Sequence, residues 1–193
     1  MKLVIVADSH GRGMGSVIHG LDKDWIVLTV FVSGQTGAVR GRYLDRLSEI
    51  RQFEPDRIIL HVGHNDLNFH PRHNQDPQFV KELFPFVLDF VSLLRSNHPT
   101  ARVHYSSVFP RKVGPHMNDA ERASYNKLAS RYGCLTQSTC KKEGHRFMLN
   151  GVLWLSVRQA RENTACFRED GLHLSAIGQE VVARDWMREL TGI

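Results

Sequence analysis

Three residues, one near the start of the chain and two near its end, carry the side-chain types that acyl transfer needs. Ser9 sits in Ala7-Asp8-Ser9-His10, just after the apolar run Leu3–Val6, and Asp170 and His173 stand three positions apart in Asp-Gly-Leu-His. A serine hydroxyl is a weak nucleophile near neutral pH unless a base takes its proton, and imidazole is suited to that task. A carboxylate that orients the ring and stabilises the imidazolium completes the set. Acyl transfer also needs N–H donors aimed at a tetrahedral oxyanion. The backbone amides of Ser9 and of Gly34 in VSGQTG, and the side-chain amide of Asn65 in HVGHND, are the candidates. Asp8 and His10 flank the nucleophile as supporting residues: Asp8 to fix the turn, His10 to meet substrate or to pack.

The elements that must position these residues follow from the hydrophobic pattern. Apolar β-rich runs recur at Leu3–Val6, Trp25–Val32, Arg57–Val62 and Val103–Val108. Helical periodicity fills the segments between, most clearly over Pro77–Ser96, where Phe79, Leu83, Phe86, Phe90 and Leu94 recur at three- and four-residue steps. Further helices fit Arg42–Phe53, Asp119–Tyr132 and Ala176–Leu190, while Gly133–Arg168 has no clear pattern. Strands alternating with helices predict an α/β fold with a parallel sheet covered on both faces. Sites in such sheets form outside the carboxyl ends of the strands. Ser9, Gly34 and Asn65 follow the first, second and third strands and so share one edge, to which the turn before the last helix brings Asp170 and His173.

The 193 residues show no repeat, linker or low-complexity tract, which predicts one domain over 1–193. No apolar run approaches the length of a membrane span and no leader pattern opens the chain, so an intracellular, cytoplasmic setting is expected. Three cysteines, Cys134, Cys140 and Cys166, cannot pair completely and read as reduced thiols. The net charge of +5 is spread among acids, which fits a solvated surface better than a nucleic-acid groove. The wide apolar face of Pro77–Ser96 would suit a membrane surface or a partner helix, but packing on the sheet is the simpler use.

Two rival chemistries are weaker, one on spacing and one on its surroundings. The glycines at 11, 13 and 15 do not make G-x-G-x-x-G and no G-K-[ST] occurs, which argues against a phosphate cradle. His61, His64, His70 and His73 show two H-x-x-H spacings, but His61 should lie along a buried strand and the later pair sits in a Pro/Asn-rich loop without a carboxylate at ligand spacing. Cys134, Cys140 and His145 match zinc spacing poorly, so no metal and no organic cofactor is expected.

These blocks, in this order, resemble the SGNH (GDSL-type) hydrolase family. Its Gly-Asp-Ser block corresponds to Ala7-Asp8-Ser9, its second-block glycine to Gly34, its Gly-x-Asn-Asp to Gly63-His64-Asn65-Asp66, and its Asp-x-x-His to Asp170-Gly171-Leu172-His173. Ala7 departs from the usual glycine. The resemblance spans residue 3 to about 190 and implies a three-layer α/β/α, flavodoxin-like fold. A narrower resemblance, on DSHGRG and DGLHLS, is to the esterase domain of the first open-reading-frame protein of certain LINE retrotransposons. It implies a domain of a longer protein that meets RNA only through other segments.

The expectation is a serine esterase acting on small acyl esters or lipids. The alternative is a non-catalytic oligomerisation, membrane or RNA-complex module on the same fold, with self-association as a homo-oligomer. No motif marks the substrate-facing loops, around 68–76 and 113–118.

Overall fold

The structure, a computed structural model, describes residues 1–69, 77–112, 118–148, 150 and 164–192. Among these, five strands form one parallel sheet: β1 (Lys2–Ala7), β2 (Ile26–Phe31), β3 (Arg57–His61), β4 (Arg102–Ser106) and β5 (Arg146–Met148). Their order is β2-β1-β3-β4-β5. Leu3 to Ala7 are fully buried, as a strand covered on both faces demands, which is why β1 reads as an unbroken apolar run. At the sheet edge, β2 leaves Ile26 and Phe31 exposed.

Helices make the outer layers. On one face α1 (Met14–Leu21) and α7 (Ala176–Thr191) bury Met14, Ile18, Val182 and Trp186 against Leu3, Ile5 and Ile59. The other face carries α2 (Thr36–Asp45), α3 (Leu47–Phe53), α4 (His64–Phe69), α5 (Pro77–Asn97) and α6 (Asp119–Glu143). Their Tyr43, Ile50, Leu67, Phe90 and Tyr132 pack with Val4, Val6, Ile58 and Leu60. The face of α5 that would suit a membrane is spent on this core: Leu83, Val87, Phe90 and Leu94 are buried, leaving Phe86 outside. No helix among the described residues is long and apolar enough to cross a membrane.

Three elements differ from the sequence expectation. The helix expected over Arg42–Phe53 is two, broken at Arg46, whose guanidinium donates to the Thr29 carbonyl (2.8 Å) and pairs with Glu49. The helix expected to stop at Tyr132 runs through Gly133 to Glu143, because buried Thr136 and Cys140 continue its inner face. That packing outweighs a mid-helix glycine's cost of about 1 kcal/mol. Strand β5 lies inside 133–168, the segment without a clear pattern.

Candidate active site

Strand register sets the site's floor. Ala7 pairs with Phe31 on one side and His61 on the other, so the chain leaves β1, β2 and β3 at one level. Ser9 opens a single 3-10 turn, Ser9–Gly11, capped by Asp8, whose Oδ1 accepts the His10 N–H at 3.0 Å. Gly11 donates to the Asp8 carbonyl at 3.1 Å. The departure at Ala7 is accommodated through Gly11: a Cβ at residue 11 would lie 2.3 Å from the Ala7 Cβ.

The second and third blocks are tied together. Gly34 adopts φ 154°, which disfavours a side chain, and a Cβ there would meet the Ala38 Cβ at 2.9 Å. Asn65 Nδ2 donates to the Gly34 carbonyl at 2.9 Å, leaving its second N–H without a partner among the described residues. Asp66 accepts from the backbone N–H and hydroxyl of Thr36 at 2.9 and 2.7 Å, and burial raises its pKa. Sequence reasoning missed this clamp, although Thr36 and Asp66 stand inside the quoted blocks VSGQTG and HVGHND.

A hairpin-like turn presents the acid and the imidazole. Phe167 bridges Leu174, and the Arg168 N–H donates to the His173 carbonyl at 2.8 Å. Gly171, at φ 68°, makes the left-handed step that lets Asp170 Oδ1 accept the Leu172 and His173 amides at 2.8 and 2.9 Å. Asp170 Oδ2 lies 2.8 Å from His173 Nδ1. Partial burial pushes the Asp170 pKa up, but the hydrogen bonds from His173 and Leu172 outweigh it and bring the carboxyl to about 2. An ionised acceptor keeps the proton of a neutral ring on Nδ1 and leaves the Nε2 lone pair for a substrate or nucleophile proton. His173 and Ser9 line one cleft of about 280 Å³; Ser33, next to Gly34, also lines it, whereas Gly34 and Asn65 are not among its lining residues.

Behind the cleft lies a histidine column that the sequence did not reveal. His10 stacks on His173 (5.1 Å between ring centroids) and on His64 (4.1 Å), and His64 meets His61 edge-on at 4.5 Å. Asp8 serves both neighbours: its Oδ1 is 3.0 Å from His10 Nδ1 and its Oδ2 is 3.3 Å from His64 Nδ1. Burial works to raise the Asp8 pKa, but the pull of His64 and His10 holds it well below the usual carboxylate range. Burial drives His64 down to about 4 and His61 well below its ordinary value.

Asp8, His10 and His64 bring ligand-type atoms within 4.8 Å of one another, yet they do not fit an ion. The Phe109 N–H donates to His64 Nε2 at 2.7 Å, so the proton of neutral His64 stays on Nδ1, facing Asp8, where no lone pair remains for a metal. The His10 and His64 rings also lie nearly parallel, 12° apart, rather than converging on a point. His70, His73 and most of the substrate-facing loops around 68–76 and 113–118 fall outside the described residues.

The chain matches the GDSL-like Lipase/Acylhydrolase family over residues 12–181. Comparison with curated protein sequences gave no match. Solved structures of the same fold include a GDSL-like lipase from Bacteroides thetaiotaomicron, at TM-score 0.65 and 17% identity, covering 100% of this chain and 89% of that one. The acetyl xylan esterase AlAXEase superposes at 0.66 with 15% identity, covering 97% and 98% of the two chains. A mutant of Axe2, an acetyl-xylooligosaccharide esterase from a Geobacillus, does so at 0.66 with 19% identity, covering 98% and 93%. Neither the family match nor these structures bear on the narrower retrotransposon resemblance. The α/β/α layers, the strand-end loops and a match over most of its length make this chain a member of the GDSL-like lipase/acylhydrolase family of carboxylic ester hydrolases.

Proposed function

We propose that the chain is a serine esterase that hydrolyses small acyl esters or lipid esters through an acyl-enzyme, with no metal or organic cofactor. Ser9 Oγ attacks the acyl carbon as His173 Nε2 takes its proton, and Asp170 stabilises the imidazolium. The oxyanion is met by the backbone N–H groups of Ser9 and Gly34 and by the free N–H of Asn65. The intermediate collapses as His173 returns the proton to the leaving alcohol oxygen. Water, deprotonated by the same ring, then attacks the acyl-enzyme and releases the acid and Ser9. Asp8 and His10 act as positioning residues, Asp8 by holding the nucleophile turn and the His10 ring, His10 by backing His173.

The observation that carries this reading is the 2.8 Å contact of Asp170 with Nδ1 of His173, a ring that lines the same cleft as Ser9. The test is release of para-nitrophenol from para-nitrophenyl acetate by the purified chain beside Ser9→Ala, with folding checked by circular dichroism. Release that vanishes in the variant supports Ser9 as nucleophile. Equal release by both proteins removes Ser9 from that role, and no release by either favours a non-catalytic module.

A further inference from the structure

The cleft beside Ser9 is polar and positively charged. Of the eight described residues that line it only Leu174 is aliphatic, and Arg12 and Arg168 are the two cations. Both arginines are anchored by their other atoms. The Arg12 carbonyl accepts from Gln179 Nε2 at 3.0 Å, and its guanidinium lies 5.3 Å from the centre of the Phe31 ring. Arg168 binds the His173 carbonyl through its backbone N–H (2.8 Å) and the Leu174 carbonyl through Nε (3.1 Å). Among the described residues neither guanidinium pairs with a carboxylate, and Asp170, two residues from Arg168, is committed to His173. Two arginines lining the cleft that holds the nucleophile, with the terminal nitrogens of both free of protein hydrogen bonds among the described residues, match the oxygens of a carboxylate or phosphate. Among the described residues the wall is poor in aliphatic side chains, which gives a long acyl chain little to bury against.

We infer that the substrate is a short-chain ester bearing an oxyanion, carboxylate or phosphate, which Arg12 and Arg168 grip while Ser9 attacks the acyl carbon. This rests on the esterase reading above and names its substrate class. The anion is a handle: it enters and leaves unchanged, and the reaction stays one ester plus water to acid plus alcohol.

The test compares charged and neutral esters in two pairs. Para-nitrophenyl hydrogen succinate against para-nitrophenyl butyrate places the anion on the acyl side; acetylglycerol phosphate against acetylglycerol places it on the alcohol side. In at least one pair the charged ester should be preferred in kcat/KM by about tenfold or more. That preference should shrink by about tenfold in Arg12→Gln and in Arg168→Gln, and fall with added salt. The pair that responds identifies the source of the anion. Ser9-dependent hydrolysis of the neutral esters with no preference in either pair would overturn the inference and leave the esterase reading standing. If no ester is turned over, calorimetric titration of Ser9→Ala with the two charged esters decides. Binding that Arg12→Gln weakens upholds the inference, and its absence refutes it.

Discussion

The imidazole of His10 stacks on that of His173, 5.1 Å between centroids and 23° between planes, while its Nδ1 is held 3.0 Å from Asp8. An aromatic pair of this kind is worth about 0.5–1.5 kcal/mol, enough to change a rate by up to roughly tenfold when the ring it steadies is the base. His10→Ala should therefore lower kcat up to about tenfold with little change in KM. His10→Phe, which keeps the stack without the Asp8 bond, should restore most of it. Equal losses in both variants would assign the effect to the Asp8 bond instead.

Asp170 is expected to matter more. In Asp170→Asn the amide presents N–H where the carboxylate accepted one, favouring the wrong tautomer of His173. A fall in kcat of about 10² to 10⁴ is expected from comparable acid–imidazole pairs, with the circular dichroism spectrum unchanged.

Asn65 both donates to Gly34 and offers an N–H to the oxyanion. Asn65→Ala should cost about 10² to 10³ in kcat, the usual loss for one such donor. Asp66→Ala, which strips Thr36 of its buried acceptor, should appear instead in chemical denaturation, as a stability loss of about 1–3 kcal/mol.

Glycines at close approaches make a stability test independent of the chemistry. A Cβ on Gly178 would lie 2.0 Å from the Cys166 carbonyl oxygen, so Gly178→Ala must push α7 off the hairpin that carries His173. A loss of at least about 1–3 kcal/mol, and a Tm lower by several degrees, should follow. Gly133→Ala, where a Cβ meets nothing within 4 Å inside α6, should raise stability by up to about 1 kcal/mol.

Buried neutral histidines make stability fall in mild acid. His64 is driven to about 4 in the folded state, with His61 and His104 lowered as well, so between pH 6.5 and 4 the unfolded chain binds more protons than the native one. Stability is then full above about pH 6.5 and drops as pH falls, by up to about 1.4 kcal/mol per pH unit for each such histidine. Thermal melts across this range should show that slope in the wild type and a shallower one in His64→Asn. Parallel slopes would mean that His64 is not among the groups responsible.

The path from sequence to fold was short where burial is two-sided. Leu3–Val6 and Arg57–Val62 read as strands because strands covered on both faces need apolar runs, four residues in the first and Ile58–Leu60 in the second, and β1 and β3 stand where those runs lie. Other elements depended on partners distant in the chain. The break at Arg46 follows from a carbonyl on β2, and the three residues of β5 are too few to show a period. The same division runs through the site. Asp170 and His173 sit on one local turn, so their spacing foretold their meeting, whereas the Thr36–Asp66 clamp joins the first turns of α2 and α4, thirty residues apart.

What the sequence determined by itself is the inventory: a serine, a glycine and an asparagine, each just beyond an apolar run, and an Asp-x-x-His block before the last helix, in an order that names the family. What only the tertiary structure decided is how those groups are backed. The column His173, His10, His64 and His61, with Asp8 bonded into it, draws on three strand-end and hairpin segments whose alignment is set by the pairing of Ala7 with His61. Side-chain types and local spacing are written along the chain; which ring stacks on which is fixed by register and by helix packing, and these exist only once the sheet has formed.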